Sequence, residues 1–139
     1  MSINKQIKIA DLPILQENGA YRVPHQAWTN VYDNGTLTGG STDFVFDCNN
    51  SSVQKVTITG TINDLKVINH REGACYVLIV TSAAGAFTSF NNGTVGAEIL
   101  TEGGFALGFS LTSGGQDVIS IIGKDSNTVL LSSAKDFKA

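Results

Sequence analysis

The sequence predicts an all-β protein, an antiparallel β-sandwich of jelly-roll type with an extended N-terminal arm. From residue 44 onward, short apolar runs are separated by Gly, Asn, Asp and Ser, a pattern typical of many strands rather than of helices. Fifteen glycines against two prolines favour tight hairpins. A chain of 139 residues is long enough for one domain with a substantial core. We therefore expect an arm and linker over residues 1–40 and the sandwich over residues 41–139.

The apolar runs recur about every 8–12 residues, as they do in sandwiches and barrels. The pattern predicts strands at Phe44–Cys48, Val53–Thr59, Asp64–Ile68, Cys75–Thr81, Ala86–Phe90, Glu98–Leu100, Phe105–Leu111, Asp117–Ile122 and Thr128–Leu131. In the second of these, alternation predicts that Val56 and Ile58 face the core and that Thr57 and Thr59 face outward.

Two runs do not alternate. Cys75–Val80 and the isoleucines of Ile119–Ile122 are apolar at most positions, which predicts strands covered on both faces. A second sheet, a partner chain or both could supply that cover. Cys48 and Cys75 lie within apolar runs, so we expect two buried thiols; a disulfide would require a facing register that the sequence does not reveal.

The first forty residues differ from the rest. The run from Ile7 to Leu15 cannot form a long helix, because Pro13 lacks a donor and biases Leu12 toward extended geometry. An extended arm this short cannot bury its apolar residues against itself, so we expect it to bind another surface. The predicted attachment residues are Ile7, Ile9, Leu12, Pro13, Ile14 and Leu15.

A helical turn after Pro24 would place Tyr21, His25, Trp28 and Tyr32 on one face. Sugar rings stack on exposed aromatic faces, which makes Tyr21, Trp28 and Tyr32 possible ligand contacts; packing of the arm against its own or a neighbouring subunit is the simpler interpretation. The Gly- and Thr-rich residues 36–42 are expected to be a linker.

Charge and hydropathy exclude several classes of protein. The net charge is −3, so no basic field favours nucleic acid. No apolar run approaches the roughly 18 residues of a membrane span, and the start lacks the apolar core of a secretory signal. Charged residues make up 15% of the chain, against about 25% in average domains. Such a surface suits permanent contacts, because interface centres are depleted in charge.

No catalytic constellation emerges from the sequence. His25 and His70 lack the spacing of a zinc site. Ser110 follows Gly108 but is not succeeded by the second glycine of a nucleophile elbow. We expect no enzyme activity, no metal and no cofactor.

A resemblance adds to this interpretation. Val56–Thr61, Leu65–Asn69, Glu72–Val80 and Gly115–Ser120 resemble a module that recurs in bacteriophage tail-fibre and tail-tip proteins. Lys8–Pro13 is similar to the short motif with which such fibre proteins often begin. The chain lacks the Trp-Pro dipeptides common before the Gly-rich turn of that module. The resemblance covers most of the chain and rests on strand and turn patterns.

The resemblance implies a structural protein of the virion, in the tail fibre, tail tip or capsid fibre, made in the host cytoplasm. It also implies a homotrimer that attaches through its N-terminal arm to other virion proteins. The alternative is a carbohydrate-binding module that recognises a glycan on the host surface.

Overall fold

The described residues of the computed structural model form β-strands and turns, with one 3-10 turn at Glu102–Gly104. The structure describes residues 7–9, 12–17, 20–22, 30–40, 43–82, 86–90, 96–104 and 114–138. Among them, no helix has the length and apolar character needed to cross a membrane. The prediction of an all-β protein is confirmed. The chain divides into two compact units, Met1–Asn30 and Val31–Ala139.

The first unit contains a three-stranded antiparallel sheet. Its strands are β1 (Ile7–Ile9), β2 (Leu12–Glu17) and β3 (Ala20–Arg22), in that order across the sheet. Pro13 lies in an extended strand, as predicted. The predicted single extended arm does not form, however. The segment turns back twice and pairs with itself through backbone hydrogen bonds.

The second unit contains the remaining strands. They are β4 (Tyr32–Thr38), β5 (Phe44–Asp47), β6 (Val53–Thr59), β7 (Thr61–Ile68), β8 (Cys75–Ser82), β9 (Ala86–Phe90), β10 (Glu98–Thr101), β11 (Gly115–Gly123) and β12 (Thr128–Phe137). The predicted strands at Val53–Thr59 and Ala86–Phe90 agree with β6 and β9 at each end. The strand predicted at Phe105–Leu111 lies outside the described residues.

The strands of this unit form two sheets. A mixed six-stranded sheet has the order β10-β12-β11-β8-β6-β4, and a second sheet has the order β5-β7-β9. From β4 to β9 the chain alternates between the sheets, and each strand pairs in parallel with the next strand of its own sheet. This is the winding of a β-solenoid, in which stacked coils of chain each contribute one strand to each sheet. Antiparallel strands β11 and β12 then extend the larger sheet beside β8.

The sequence predicted an antiparallel jelly roll, whereas the strands from β4 to β9 pair in parallel within each sheet. Turn residues indicate where the chain changes direction, but they do not indicate whether the next strand returns within one sheet or crosses to the other. The boundary between the first and second units follows Asn30, whereas the sequence predicted a boundary after residue 40. Residues 36–38, expected to belong to a linker, pair with β6 at the edge of the six-stranded sheet.

One corner of the coil depends on glycine. At the turn from β6 to β7, Gly60 has φ of 117°, and a Cβ at this position would lie 2.9 Å from Cα of Gly39 in the preceding coil. The Gly39 N–H donates to Thr59 O at 2.9 Å. Two successive coils therefore touch through backbone alone, which only glycine permits at this distance and φ.

The core lies between the two sheets. Val56 and Ile58 are buried, Thr59 is exposed and Thr57 is partly exposed, so the predicted faces of β6 are confirmed. The rings of Phe46 and Tyr76 meet edge to face, with centroids 6.1 Å apart. The buried hydrophobic residues are Phe44, Phe46, Val56, Ile58, Ile62, Leu65, Val67, Tyr76, Leu78, Val80, Ala97, Ile99, Ile119, Ile121, Val129 and Leu131.

Candidate functional site

The side of the six-stranded sheet that faces away from the core is unusually apolar. The register of β6, β8, β11 and β12, with Leu100 of β10, aligns its residues in rows. We define the outer face by four such rows: Leu100, Leu130, Ile122 and Cys75; Ser132, Ser120, Val77 and Val53; Ala134, Val118, Ile79 and Lys55; Phe137, Gln116, Thr81 and Thr57.

The first row concentrates the exposed apolar side chains. Ile122 is 43% exposed, Leu130 is 40% exposed and Leu100 is 39% exposed. Because residues directly opposite on neighbouring strands have Cβ atoms only about 4.5–5.5 Å apart, these three side chains form one continuous surface. Val77 and Ile79 continue it along β8, and each is half-buried.

Charge is scarce within the outer face, and the charged residues beside it include Glu98 on β10 and Lys135 and Asp136 at the irregular register of β12. In the four rows the single charged residue is Lys55, on β6, and its ammonium group lies 3.1 Å from a carboxylate oxygen of Asp33 on the edge strand β4. The rest of the face offers apolar, hydroxyl or amide side chains. A sheet face in contact with water normally carries polar and charged residues. The scarcity of charge on this face is instead a feature of the centres of protein interfaces.

Each strand predicted to be covered on both sides has one face in the core and the other on the outer face. In β8, buried residues alternate with half-buried ones after Cys75, and in β11 Ile119 and Ile121 are buried while Ile122 is exposed. Within one chain, the second side of these strands is only partly covered. The continuous apolar run in the sequence therefore corresponds to a core side plus an apolar outer side.

The two thiols differ in their surroundings. Both are free. Burial raises the pKa of the Cys48 thiol to about 12, although a hydrogen bond with the Tyr76 hydroxyl opposes the shift. Cys75 is exposed at the end of the first row, so the expectation of two buried thiols is wrong for this residue, which begins a strand at the side that faces outward.

The predicted attachment residues all lie in β1 and β2 of the first unit. The register pairs Ile7 with Ile14 and Ile9 with Leu12, and it places Pro13 opposite Lys8. Leu15 is opposite Arg22 of β3. The sheet therefore places four of the six residues in two cross-strand pairs, on either side of the Lys8–Pro13 pair.

The predicted aromatic cluster is not held by one helical turn. Tyr21 lies in β3 opposite Gln16, and Tyr32 begins β4, where it is 43% exposed. The two residues belong to different units. Trp28 lies outside the described residues, as does His25. Tyr21 and Tyr32 therefore lie in strands, and the helical turn predicted after Pro24 falls on residues 24–29, outside the described residues.

A polar cleft, which the sequence did not indicate, lies at one end of the second unit. It has a volume of about 290 Å³ and is lined by residues that follow β7, precede β10 and connect β11 to β12, among them Asn69, His70, Ser126 and Asn127. Its members are distant in sequence, so no spacing could have predicted it. In the described part of the chain, no three His, Cys, Asp or Glu side chains are grouped so as to hold a metal ion.

The cleft is built on defined hydrogen bonds. His70 Nε2 lies 2.8 Å from Asp125 O. Asn69 has φ of 58°, and its Nδ2 donates to Asp47 Oδ1 at 2.8 Å. This bond, together with one from the Asn49 N–H, holds the pKa of Asp47 below its usual value.

Comparison of the chain with family models, with curated proteins and with solved structures gave no match. The geometry of the outer face and of the cleft is therefore the basis for assigning a function.

Proposed function

We propose that this protein is a structural component of a bacteriophage particle that assembles with copies of itself, as a trimer, through the outer face. The observation that carries the proposal is the absence of charge from the four rows of the outer face apart from Lys55 at its border. The two sheets form a β-sandwich in the broad sense, wound as a coil rather than as a jelly roll. In this arrangement the six-stranded sheet turns its outer face away from the core, where a permanent contact can form.

The size of the face suits this role. With strands about 4.8 Å apart and alternate residues about 6.7 Å apart, four strands and four rows cover about 500 Å². Ten of the sixteen residues are apolar, so about 300 Å² of this area is apolar, at the lower end of the roughly 300–600 Å² of the apolar patches that are often functional on monomers. The occupants we propose are two further copies of the chain, each with its outer face toward a shared threefold axis. A surface of apolar and hydroxyl groups suits such a contact, because it requires no opposite charge on the partner.

The energetic contribution of the first row can be bounded. Full burial of a Leu or Ile side chain contributes about 1.5–3 kcal/mol. Since about 40% of each side chain is exposed in the single chain, complete cover of Leu100, Leu130 and Ile122 would contribute about 1 kcal/mol each. Association costs about 4–15 kcal/mol in lost freedom. The remaining rows of the outer face must therefore take part.

The virion location rests on the resemblance of Val56–Thr61, Glu72–Val80 and Lys8–Pro13 to fibre modules. In this proposal the first unit joins the domain to other virion proteins through Ile7, Ile9, Leu12, Pro13, Ile14 and Leu15. The division of the chain at Asn30 is consistent with one unit for attachment and one for assembly.

Sedimentation of matched variants tests the assembly. Wild-type protein should sediment at three times the chain mass of 14.6 kDa. Ile122→Lys should yield monomers, because it places a charge in the centre of the first row. Val45→Lys is the control: Val45 is 42% exposed on β5 of the other sheet, and this variant should remain trimeric.

Two results would contradict the proposal. A stable wild-type monomer at micromolar concentration would refute self-assembly. An Ile122→Lys variant as trimeric as the Val45→Lys control would exclude the outer face as the contact. Circular dichroism of each variant establishes that it is folded.

A further inference from the structure

The residues that line the polar cleft do not belong to the outer face. Its polar side chains are two amides, an imidazole and a hydroxyl, from Asn69, Asn127, His70 and Ser126. Ile68 adds a small apolar wall, and Ala97, which is 2% exposed, lies beneath it. Among the described residues that line it, none is a carboxylate, lysine or arginine. A ligand suited to these groups is uncharged, rich in hydroxyls and apolar on one side.

The three segments that form the cleft are fixed to one another. Ala97 N–H donates to Val67 O at 2.9 Å, and Glu98 N–H donates to Asn127 O at 2.7 Å. Gly96 permits this approach, because a Cβ at its position would lie 2.5 Å from Val67 O. Because the cleft is already ordered, a ligand that binds there does not have to order its walls, and the entropic cost of binding is lower.

Several groups in the cleft remain available to a ligand. Asp125 O is only an acceptor, so His70 Nε2 must donate to it, and in the neutral ring Nδ1 is then an acceptor. Asn69 uses one amide N–H on Asp47, which leaves its Oδ1 as an acceptor. The Asn127 side chain supplies a donor and an acceptor together.

We propose that this cleft binds a neutral saccharide, one sugar ring at a time. Acceptors and donors at His70 and Asn127 would pair with ring hydroxyls, and the apolar side of the ring would lie against Ile68. The volume of about 290 Å³ is at the small end of ligand pockets, which run about 300–1,000 Å³. A single residue of a longer glycan is the ligand that fits this volume.

Titration by NMR tests the proposal, with D-glucose, D-galactose and N-acetyl-D-glucosamine as probes. At least one sugar should shift the backbone amide signals of His70 and Asn127 in a saturable manner. Asn127→Ala should weaken binding at least tenfold, since it removes two hydrogen-bonding groups and leaves the backbone bonds intact. Ser126→Trp, which fills the cleft, should abolish binding. Asn49→Ala, an exposed Asn in another turn, is the matched control and should bind as the wild type does.

Three results would overturn the proposal: no saturable shift with any of the three sugars, binding in Asn127→Ala equal to that in the Asn49→Ala control, or a stronger response of the same amides to inorganic phosphate. None of these bears on assembly. Sedimentation of the Asn127→Ala variant should show the wild-type oligomer, so failure of the saccharide site and failure of the outer face are distinguishable.

Discussion

A buried glutamine provides the sharpest test of the coil. Gln54 is 0% exposed, and its Nε2 donates to Asp47 O at 2.7 Å and to Ser51 O at 3.0 Å. Its Oε1 accepts from Asn34 Nδ2 at 3.0 Å. One side chain thus connects β4, the end of β5 and the turn into β6. In Gln54→Glu, a carboxylate would face two carbonyl oxygens.

The size and pH dependence of the effect follow from these bonds. In the Gln54→Glu variant, a protonated carboxyl group keeps one donor and loses the other, which costs about 1–3 kcal/mol for the unsatisfied carbonyl. The ionised form is worse, so the pKa of the introduced carboxyl group in the folded state is raised above about 4.3, the unfolded value. Because the pKa of this carboxyl group is higher in the folded state than in the unfolded state, the variant loses stability as the pH rises between the two pKa values. The loss is about 1.4 kcal/mol of unfolding free energy per pH unit over that interval.

Urea unfolding followed by far-UV circular dichroism, at fixed protein concentration, measures this loss at pH 5 and pH 8. Gln54→Glu should be destabilised at pH 5 and more strongly destabilised at pH 8, relative to wild type. Asn50→Asp, the same amide-to-carboxylate change at an exposed position of the turn between β5 and β6 and outside the outer face, is the control and should change little. If the Gln54→Glu loss is equal at the two pH values, or no larger than that of the control, the buried network does not hold this corner.

Three further predictions concern the core, the thiols and the division of the chain. Leu78→Ala should lower the free energy of unfolding by about 2–5 kcal/mol through lost burial and a residual cavity, and Thr57→Ala by much less; equal shifts in urea midpoint would contradict the observed faces. Cys75 should react with a thiol reagent in the monomeric Ile122→Lys variant and be protected in the trimer. Cys48 should stay unreactive at pH 8 until the protein unfolds, because its pKa is about 12. The absorbance of the dye that the reagent releases measures both reactions. Deleting residues 1–30 should preserve the cooperative melt and abolish incorporation into particles, and loss of the melt would show that the first unit is needed for folding.

The local alternation of apolar and polar residues predicted where the strands lie, but it did not predict which strands pair with one another. The β6 boundaries and its alternating faces follow from Val56 and Ile58, whose spacing has the period of a strand. Parallel pairing does not follow, because Gly60 marks a turn without specifying that it leads into the other sheet. Pro13 correctly indicated extended backbone, yet the two reversals around it depend on pairing that no single position encodes.

The same distinction applies to the candidate sites. The apolar run at Cys75–Val80 indicated a strand with a second apolar side, and the outer face is that side. The cleft could not be foreseen, because His70 and Asn127 become neighbours only when β7 and the β11–β12 turn come to the same end of the sheets. Tyr21 and Tyr32 show the converse: their helical spacing suggested a cluster, and tertiary pairing placed each in a strand.

The edges of the six-stranded sheet favour association through its face. An exposed edge strand can pair with another chain, and proteins limit this with short strands, charges and irregular register. Edge strand β10 has four residues, and Glu98 begins it. Edge strand β4 has an irregular register between Asp33 and Thr36, and Asp33 is paired with Lys55. Because each edge carries a feature that opposes strand addition and the outer face carries almost no charge, a second copy that docks on this sheet has its most favourable contact at the face.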